Sequence, residues 1–482
     1  MRRSLAITIF FTIAVPLVPA DTLRAGAAQS VITPELNGQV VYLAGFGHNR
    51  VATAVHDDLY VRCLALGIAK QTVGACSVDL IGLFYDDVLT IRRLFQQKTS
   101  GATFLIVAST HTHAGPDTLG LYGPKPFATG IDRRYLDWVD QRIATTAADA
   151  VRAMQPARLE LARDDHPLLA MLQGVDRPPI VKDPFLYVMR VVGRSTGQTI
   201  AVVVNWSDHP EVLSRNNTEI TADYPHWTRD YLEKKFGGTA LFFSGSIGKV
   251  SPLGDQVALV DPQTGKIAED GSWRKAELLG NEVGRLAERA LKSAKRVNVD
   301  SIPIRTDTFF VPMHNPNFRI AEASGVFAER KPFYTNGTND PAVETRDLPE
   351  LGRVKYAIGH DVQTEVDYIQ LRSDSGPVAE IVTIPGEIYP ELVNGGVARY
   401  PGADYPEAPI EPVLREQLKT KYQFIFGLGN DEIGYLIPKA EWDEKPPWLG
   451  NAAKPWYGEV NSVGPDAAGT VLRTLVALIS RQ

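Results

Sequence analysis

Cysteine is nearly absent, with Cys63 and Cys76 the two in 482 residues. Two sulfurs exclude a disulfide framework and a zinc-finger spacing, so any metal here is held by His, Asp, Glu or Tyr. Blocks of like charge are missing too. Fifty basic residues against 56 acidic ones, spread along the chain, give a formal charge of −6. That leaves no electrostatic footprint for nucleic acid, which is set aside as a partner. Beyond the N-terminus, no apolar run reaches the ~20 residues that span a bilayer. Gly245 and Gly248 lack the Gly-Lys-[Ser/Thr] of a phosphate loop, and no Gly-x-Ser-x-Gly elbow surrounds Ser251. The composition that remains, 44% hydrophobic, 22% charged and 9% aromatic, is that of an ordinary globular protein.

The first residues read as a targeting segment. Met1-Arg2-Arg3 is a basic start, residues 5–18 are apolar apart from two Thr and one Pro, and Val18-Pro19-Ala20 precedes a plausible cut. This predicts a signal peptide over 1–20 and a mature chain over 21–482, exported to periplasm or medium and without a transmembrane anchor after cleavage. Loss of Arg2 and Arg3 takes the charge from −6 to −8. Export permits a disulfide. Cys63 and Cys76 lie in neighbouring strand-like runs, and pairing across a hairpin and two buried free thiols both stay open.

Short apolar runs at 60–68, 73–83, 104–108, 185–192, 200–205 and 240–243 alternate with helical periodicity at 85–96, 135–154 and 276–294. Strands return at 367–371, 379–384 and 422–426, and a helix over 467–479 closes the chain. The alternation predicts an α/β fold, a mixed, largely parallel sheet or sheets flanked by helices, in a single catalytic domain. Pro, Asn and charge scattered without periodicity near 315–360 predict a long irregular insertion there.

Five of the strand-like runs end in polar clusters: 109–117 with His111-Thr112-His113, 205–210 with His209-Pro210, 244–252 with Ser251-Pro252, Pro385-Gly386-Glu387, and 427–435 ending in Gly434-Tyr435. Ligands in open α/β sheets gather beyond the carboxyl ends of strands, so these clusters are expected to converge. Imidazole with carboxylate suits zinc. His111-Thr112-His113 places two imidazoles on one side of an extended segment, as a strand-borne metal site requires. The other clusters say less alone: His209 before Pro is a loop histidine or a ligand, Pro-Gly-Glu is a turn, and Tyr435 is a core residue on its own.

At these residues the chain resembles the neutral, non-lysosomal ceramidase family, specifically its N-terminal catalytic domain. The landmarks occur in the family's order: Val31-Ile-Thr-Pro34, Ala44-Gly-Phe-Gly47, His56-Asp-Asp-Leu-Tyr-Val-Arg62, Thr110-His-Thr-His-Ala-Gly-Pro116, His209-Pro210, Ala222-Asp-Tyr-Pro225, Val250-Ser-Pro252, Ile384-Pro-Gly-Glu387 and Gly434-Tyr435. The resemblance implies a zinc-dependent amide hydrolase with one Zn2+ per chain. It implies His111, His209, Glu387 and Tyr435 as the ligands, with His113 beside the metal-bound water or the substrate oxygen as the proton shuttle, Tyr435 also at the developing oxyanion, Ser251 near the scissile amide and Arg177 at the substrate. Two departures stand out. The family's usual Gly-Asp-Xaa-Ser-Pro reads Gly248-Lys249-Val250-Ser251-Pro252, and the C-terminal immunoglobulin-like domain of full ceramidases has no counterpart in this sequence.

The expectation is therefore an exported zinc hydrolase of a linear, ceramide-like N-acyl amide, acting on a small-molecule or lipid amide substrate. A metal-dependent esterase, phosphoesterase or peptidase on the same site is an alternative, as is a non-catalytic exported binding protein. The sequence does not specify the oligomeric state.

Overall fold

The computed structural model describes residues 23–327, 332–333, 344–348, 354–358 and 361–481. The signal peptide expected over 1–20 lies outside them. The larger sheet is built from β1 (Arg24–Val31), β2 (Tyr60–Ile68), β3 (Gln71–Val78), β4 (Ala102–Ser109), β5 (Gln155–Asp164), β6 (Leu186–Gly193), β7 (Thr199–Trp206), β8 (Thr239–Ser244) and β9 (Lys295–Val297). Its order is β8-β7-β6-β5-β1-β2-β3-β4, with β9 paired to β5. A second sheet runs β10 (Ile304–Pro312), β11 (Asp361–Ser373), β12 (Gly376–Ile384), β13 (Tyr422–Gly427), and Pro332–Phe333 also pairs with β11.

The sheets pack face to face. Alternate residues of each inner strand point into the shared core, as with Leu64 and Leu66 of β2, Val203 of β7 and Phe243 of β8 against Ile381 of β12 and Phe424 and Phe426 of β13. Phe243 stacks on Phe426 with ring centroids 3.9 Å apart, worth about 0.5–1.5 kcal/mol beyond the area buried. The opposite face of the first sheet is covered by α1 (Tyr85–Gln96), α2 (Arg133–Arg152), α3 (Tyr224–Phe236) and α4 (Trp273–Leu291), and that of the second by α5 (Ala467–Ser480). Burial on both faces explains why β7 and β8 read as unbroken apolar runs. Among the described residues no helix is long and apolar enough to cross a membrane.

The sheets are mixed, as the alternation predicted, but a largely parallel sheet is corrected: antiparallel pairs outnumber parallel ones. Tight connections decide this, since β2 joins β3 and β6 joins β7 across turns far too short for a parallel crossover. The parallel pairs among the main strands are β3–β4, β7–β8 and β12–β13. Cys63 and Cys76 face each other in the β2–β3 register and are joined as a disulfide.

The region near 315–360, expected to be irregular, holds an α-helix over Pro316–Ala323 and an antiparallel pair, Glu344–Leu348 with Val354–Ile358. Asn315 starts the helix by accepting from the Asn317 and Phe318 N–H groups. The periodicity also left β1, β5, β10 and α3 unread. The helix expected at 276–294 begins at Trp273 because Ser272 caps it, accepting from the Lys275 N–H.

Candidate metal centre

The three parallel pairs aim their carboxyl ends at one place. His111 and His113 follow β4, His209 follows β7, Ser251 follows β8, Glu387 follows β12, and Tyr435 follows β13. Glu387 and Tyr435 are partners in a short parallel bridge, so two residues separated by two short helices and a strand become neighbours. All of these side chains are buried.

The rings of His111, His113 and His209 stand edge to face, with centroids 4.9, 5.0 and 5.5 Å apart. Each offers a nitrogen within 4.8 Å of the other two. The extended His-Thr-His geometry is corrected: His111 has φ 71, a left-handed turn that costs roughly 1–2 kcal/mol for a non-glycine residue and marks a held site. His111 Nδ1 lies 2.7 Å from the Ile81 carbonyl and His209 Nδ1 2.6 Å from the Val250 carbonyl. Those acceptors turn both Nε2 atoms inward, to 3.5 Å and 2.8 Å from Glu387 Oε2. Metal-ligating histidines are oriented in this way by their outer nitrogens. The Tyr435 hydroxyl hydrogen-bonds Glu387 too, and its ring stacks on His209 at 6.4 Å.

Burial drives the His111 imidazole down to about 4 and that of His113 well below its ordinary value, neighbouring imidazoles adding to both shifts. Both rings are therefore neutral, the ligating form. Burial also opposes the charged form of His209, but its hydrogen bond to Glu387 and the charges of Glu211 and Glu387 prevail and hold it up at about 9, a proton that a bound metal would displace. Burial pushes the Tyr435 phenol well above 10. Two imidazole nitrogens, a carboxylate and a phenol meeting at one point, with a third imidazole beside them, form a donor set that fits a divalent transition metal.

His113 differs from the other two. Both of its ring nitrogens are buried without a hydrogen-bond partner, although Nδ1 lies 3.3 Å from Glu211 Oε2. Its backbone is fixed instead: the His113 N–H donates to the Pro210 carbonyl and Arg50 donates to the His113 carbonyl at 2.7 Å. A Cβ at Gly45 would meet the His113 ring at 2.6 Å, which is why the Ala44-Gly-Phe-Gly47 turn carries glycine there.

Sequence reasoning missed Glu211. It accepts a 2.5 Å hydrogen bond from the Ser251 hydroxyl and approaches His113 on its other oxygen. The signal was its place two residues after His209, in a segment read for its histidine alone. Arg177 lines the cavity that also holds His113, His209, Glu211 and Ser251, but its guanidinium is engaged, by Glu459 at 2.6 Å and by the Glu441 carbonyl. Lys249 lines the same cavity as His113 and His209, and its ammonium pairs with buried Glu391 and donates to the Pro179 carbonyl at 2.7 Å, so a carboxylate balances the charge of the base beside Ser251.

The sequence matches no protein-family model and no curated protein. Among solved structures, the fold is similar to that of the neutral ceramidase from Pseudomonas aeruginosa, with a TM-score of 0.65 and 15% identity over 95% of this chain and 74% of that one. It is also similar to a ceramidase complexed with C2, with a TM-score of 0.66 and 14% identity over 95% and 75% of the two chains. What this chain shares with these ceramidases, at that identity, is the fold.

Proposed function

We propose that this chain is a member of the neutral ceramidase family, a single-domain, exported, zinc-dependent hydrolase of a linear N-acyl amide. The observation that carries the reading is the junction of His111, His209, Glu387 and Tyr435, from four distant segments, beside the unpartnered imidazole of His113. The fold shared with two ceramidases directs the chemistry toward an amide bond.

His111, His209, Glu387 and Tyr435 would hold the zinc, which when bound would supply Lewis acidity and lower the pKa of water to about 7. His113 takes the proton of the attacking water and passes it to the departing amine, which its Nε2, buried without a hydrogen-bond partner, allows. Ser251 gives its hydrogen to Glu211, so its oxygen presents lone pairs to the amide N–H and orients the nitrogen. Arg177 acts as a positioning residue, tying 441 and 459 together behind Tyr389 and Trp456.

The test is release of free amine from N-acyl amides by the zinc-loaded chain, with and without dipicolinate. Turnover that stops with the chelator and returns with zinc is expected. A zinc-bound protein that releases no amine from any amide would overturn the reading.

A further inference from the structure

The acceptor that orients His209 sits on a constrained stretch of backbone. His209 Nδ1 lies 2.6 Å from the Val250 carbonyl, and the residue before Val250, Lys249, has φ 57. A lysine keeps that left-handed conformation only where its surroundings hold it.

What holds it is shared with a second ligand. The Gly248 N–H donates to the carbonyl of Ile388, the residue after Glu387, at 3.0 Å, and a Cβ at Gly248 would meet the Glu387 carbonyl oxygen at 2.5 Å. On the other side of Lys249, Val250–Ser251 pairs antiparallel with Gly174–Val175. The Lys249 side chain closes the arrangement. Its ammonium pairs with Glu391, on the short helix Pro390–Asn394 that follows Glu387, and donates to the Pro179 carbonyl at 2.7 Å.

Lys249 thus fastens the segment that carries the His209 acceptor to the segment that carries Glu387. It does so with an ion pair whose side chains are 3% and 0% exposed. Such a pair adds little stability that apolar groups of the same volume would not supply. What it adds is direction, because an ammonium shared between a carboxylate and a fixed carbonyl leaves the two segments little room to slide.

Resting on the zinc reading above, we infer that Lys249 is a positioning residue of the metal centre: paired with Glu391, it fixes the Val250 carbonyl against the Glu387 segment and so aims His209 Nε2 at Glu387.

The test uses the full chain and two double variants, Lys249→Met with Glu391→Leu and Lys249→Met with Glu391→Gln, each of which removes both charges and leaves none stranded. Zinc affinity is read by competition with a chelator of known affinity, and the geometry of the centre by the visible spectrum of the cobalt(II)-loaded protein; neither needs turnover. Zinc binding at least tenfold weaker than wild type is expected, the loss typical of outer-shell partners, with an altered cobalt spectrum, in a variant whose zinc-free form unfolds at the same urea concentration as zinc-free wild type. Wild-type affinity and spectrum in whichever double variant folds overturns the inference and leaves the pair a purely structural one. A wild-type chain that binds neither zinc nor cobalt overturns it together with the metal reading, whereas a zinc-bound chain that hydrolyses no amide sinks the amide-hydrolase reading and leaves the Lys249 result standing.

Discussion

His209 Nε2 and Glu387 Oε2 lie 2.8 Å apart across 178 residues of chain, joining the loop after β7 to the segment after β12. The first prediction follows from that contact. Wild-type protein is expected to bind about one zinc per chain, and His209→Ala or Glu387→Ala to weaken binding by more than ~100-fold, beyond the loss typical of outer-shell changes. Elemental mass spectrometry after dialysis reads this directly. Full zinc content in either variant would remove that residue from the ligand set.

Ser251→Ala is expected to slow amide turnover while leaving zinc content intact, because Ser251 touches Glu211 and not the four ligands. Zinc loss in this variant would mean that the Ser251–Glu211 bond supports the centre itself.

Lys249 and Glu391 form a buried pair, their side chains 3% and 0% exposed. Removing one partner strands the other charge, at a cost of roughly 3–5 kcal/mol, whereas replacing both by apolar groups of similar volume is often close to neutral. Lys249→Met is therefore expected to lower stability by that order in urea unfolding, and Lys249→Met with Glu391→Leu to recover most of it. Equal stability of Lys249→Met and wild type would contradict the pairing.

Burial raises the Asp117 carboxyl from 3.8 to about 6, against four backbone N–H donors that pull it down. The folded state therefore keeps its proton over a range where the unfolded state has lost it. Stability is fully present below pH ~4 and falls as pH rises through ~6, by on the order of 3 kcal/mol. Unfolding free energy measured from pH 4 to pH 7 is expected to decline in wild type relative to Asp117→Asn. A pH-independent difference between the two would show that Asp117 titrates normally.

The Cys63–Cys76 bridge closes a short loop, with a sequence separation of 13. By loop closure, its removal in the Cys63→Ala, Cys76→Ala protein is expected to cost about 2–4 kcal/mol. Two free thiols titrating in the unreduced, unfolded protein would deny the bridge.

Strands were legible where both faces are buried. β7 and β8 read as apolar runs because one side meets the second sheet and the other meets α3 and α4. β5, an inner strand, carries Arg158, Glu160 and Arg163 among its apolar residues, and β10, an edge strand, carries Arg305 and Asp307, so charge hid both. α3 opens on Tyr224-Pro225 and mixes aromatic with charged residues, so no clean apolar stripe announced it.

Sequence alone determined the local chemistry: which strands end in His, Glu, Ser or Tyr, how few sulfurs there are, and the order of the motifs. These depend on residue type and near spacing, which a linear string carries in full. Only the tertiary structure decided that the ends of the three parallel pairs share one point and that Glu211 bridges toward His113. It also decided that Lys249 pairs with Glu391. Each of those facts is a contact between segments far apart in the chain. Such contacts are fixed by the packing of two sheets and by strand register, which no single segment's composition specifies.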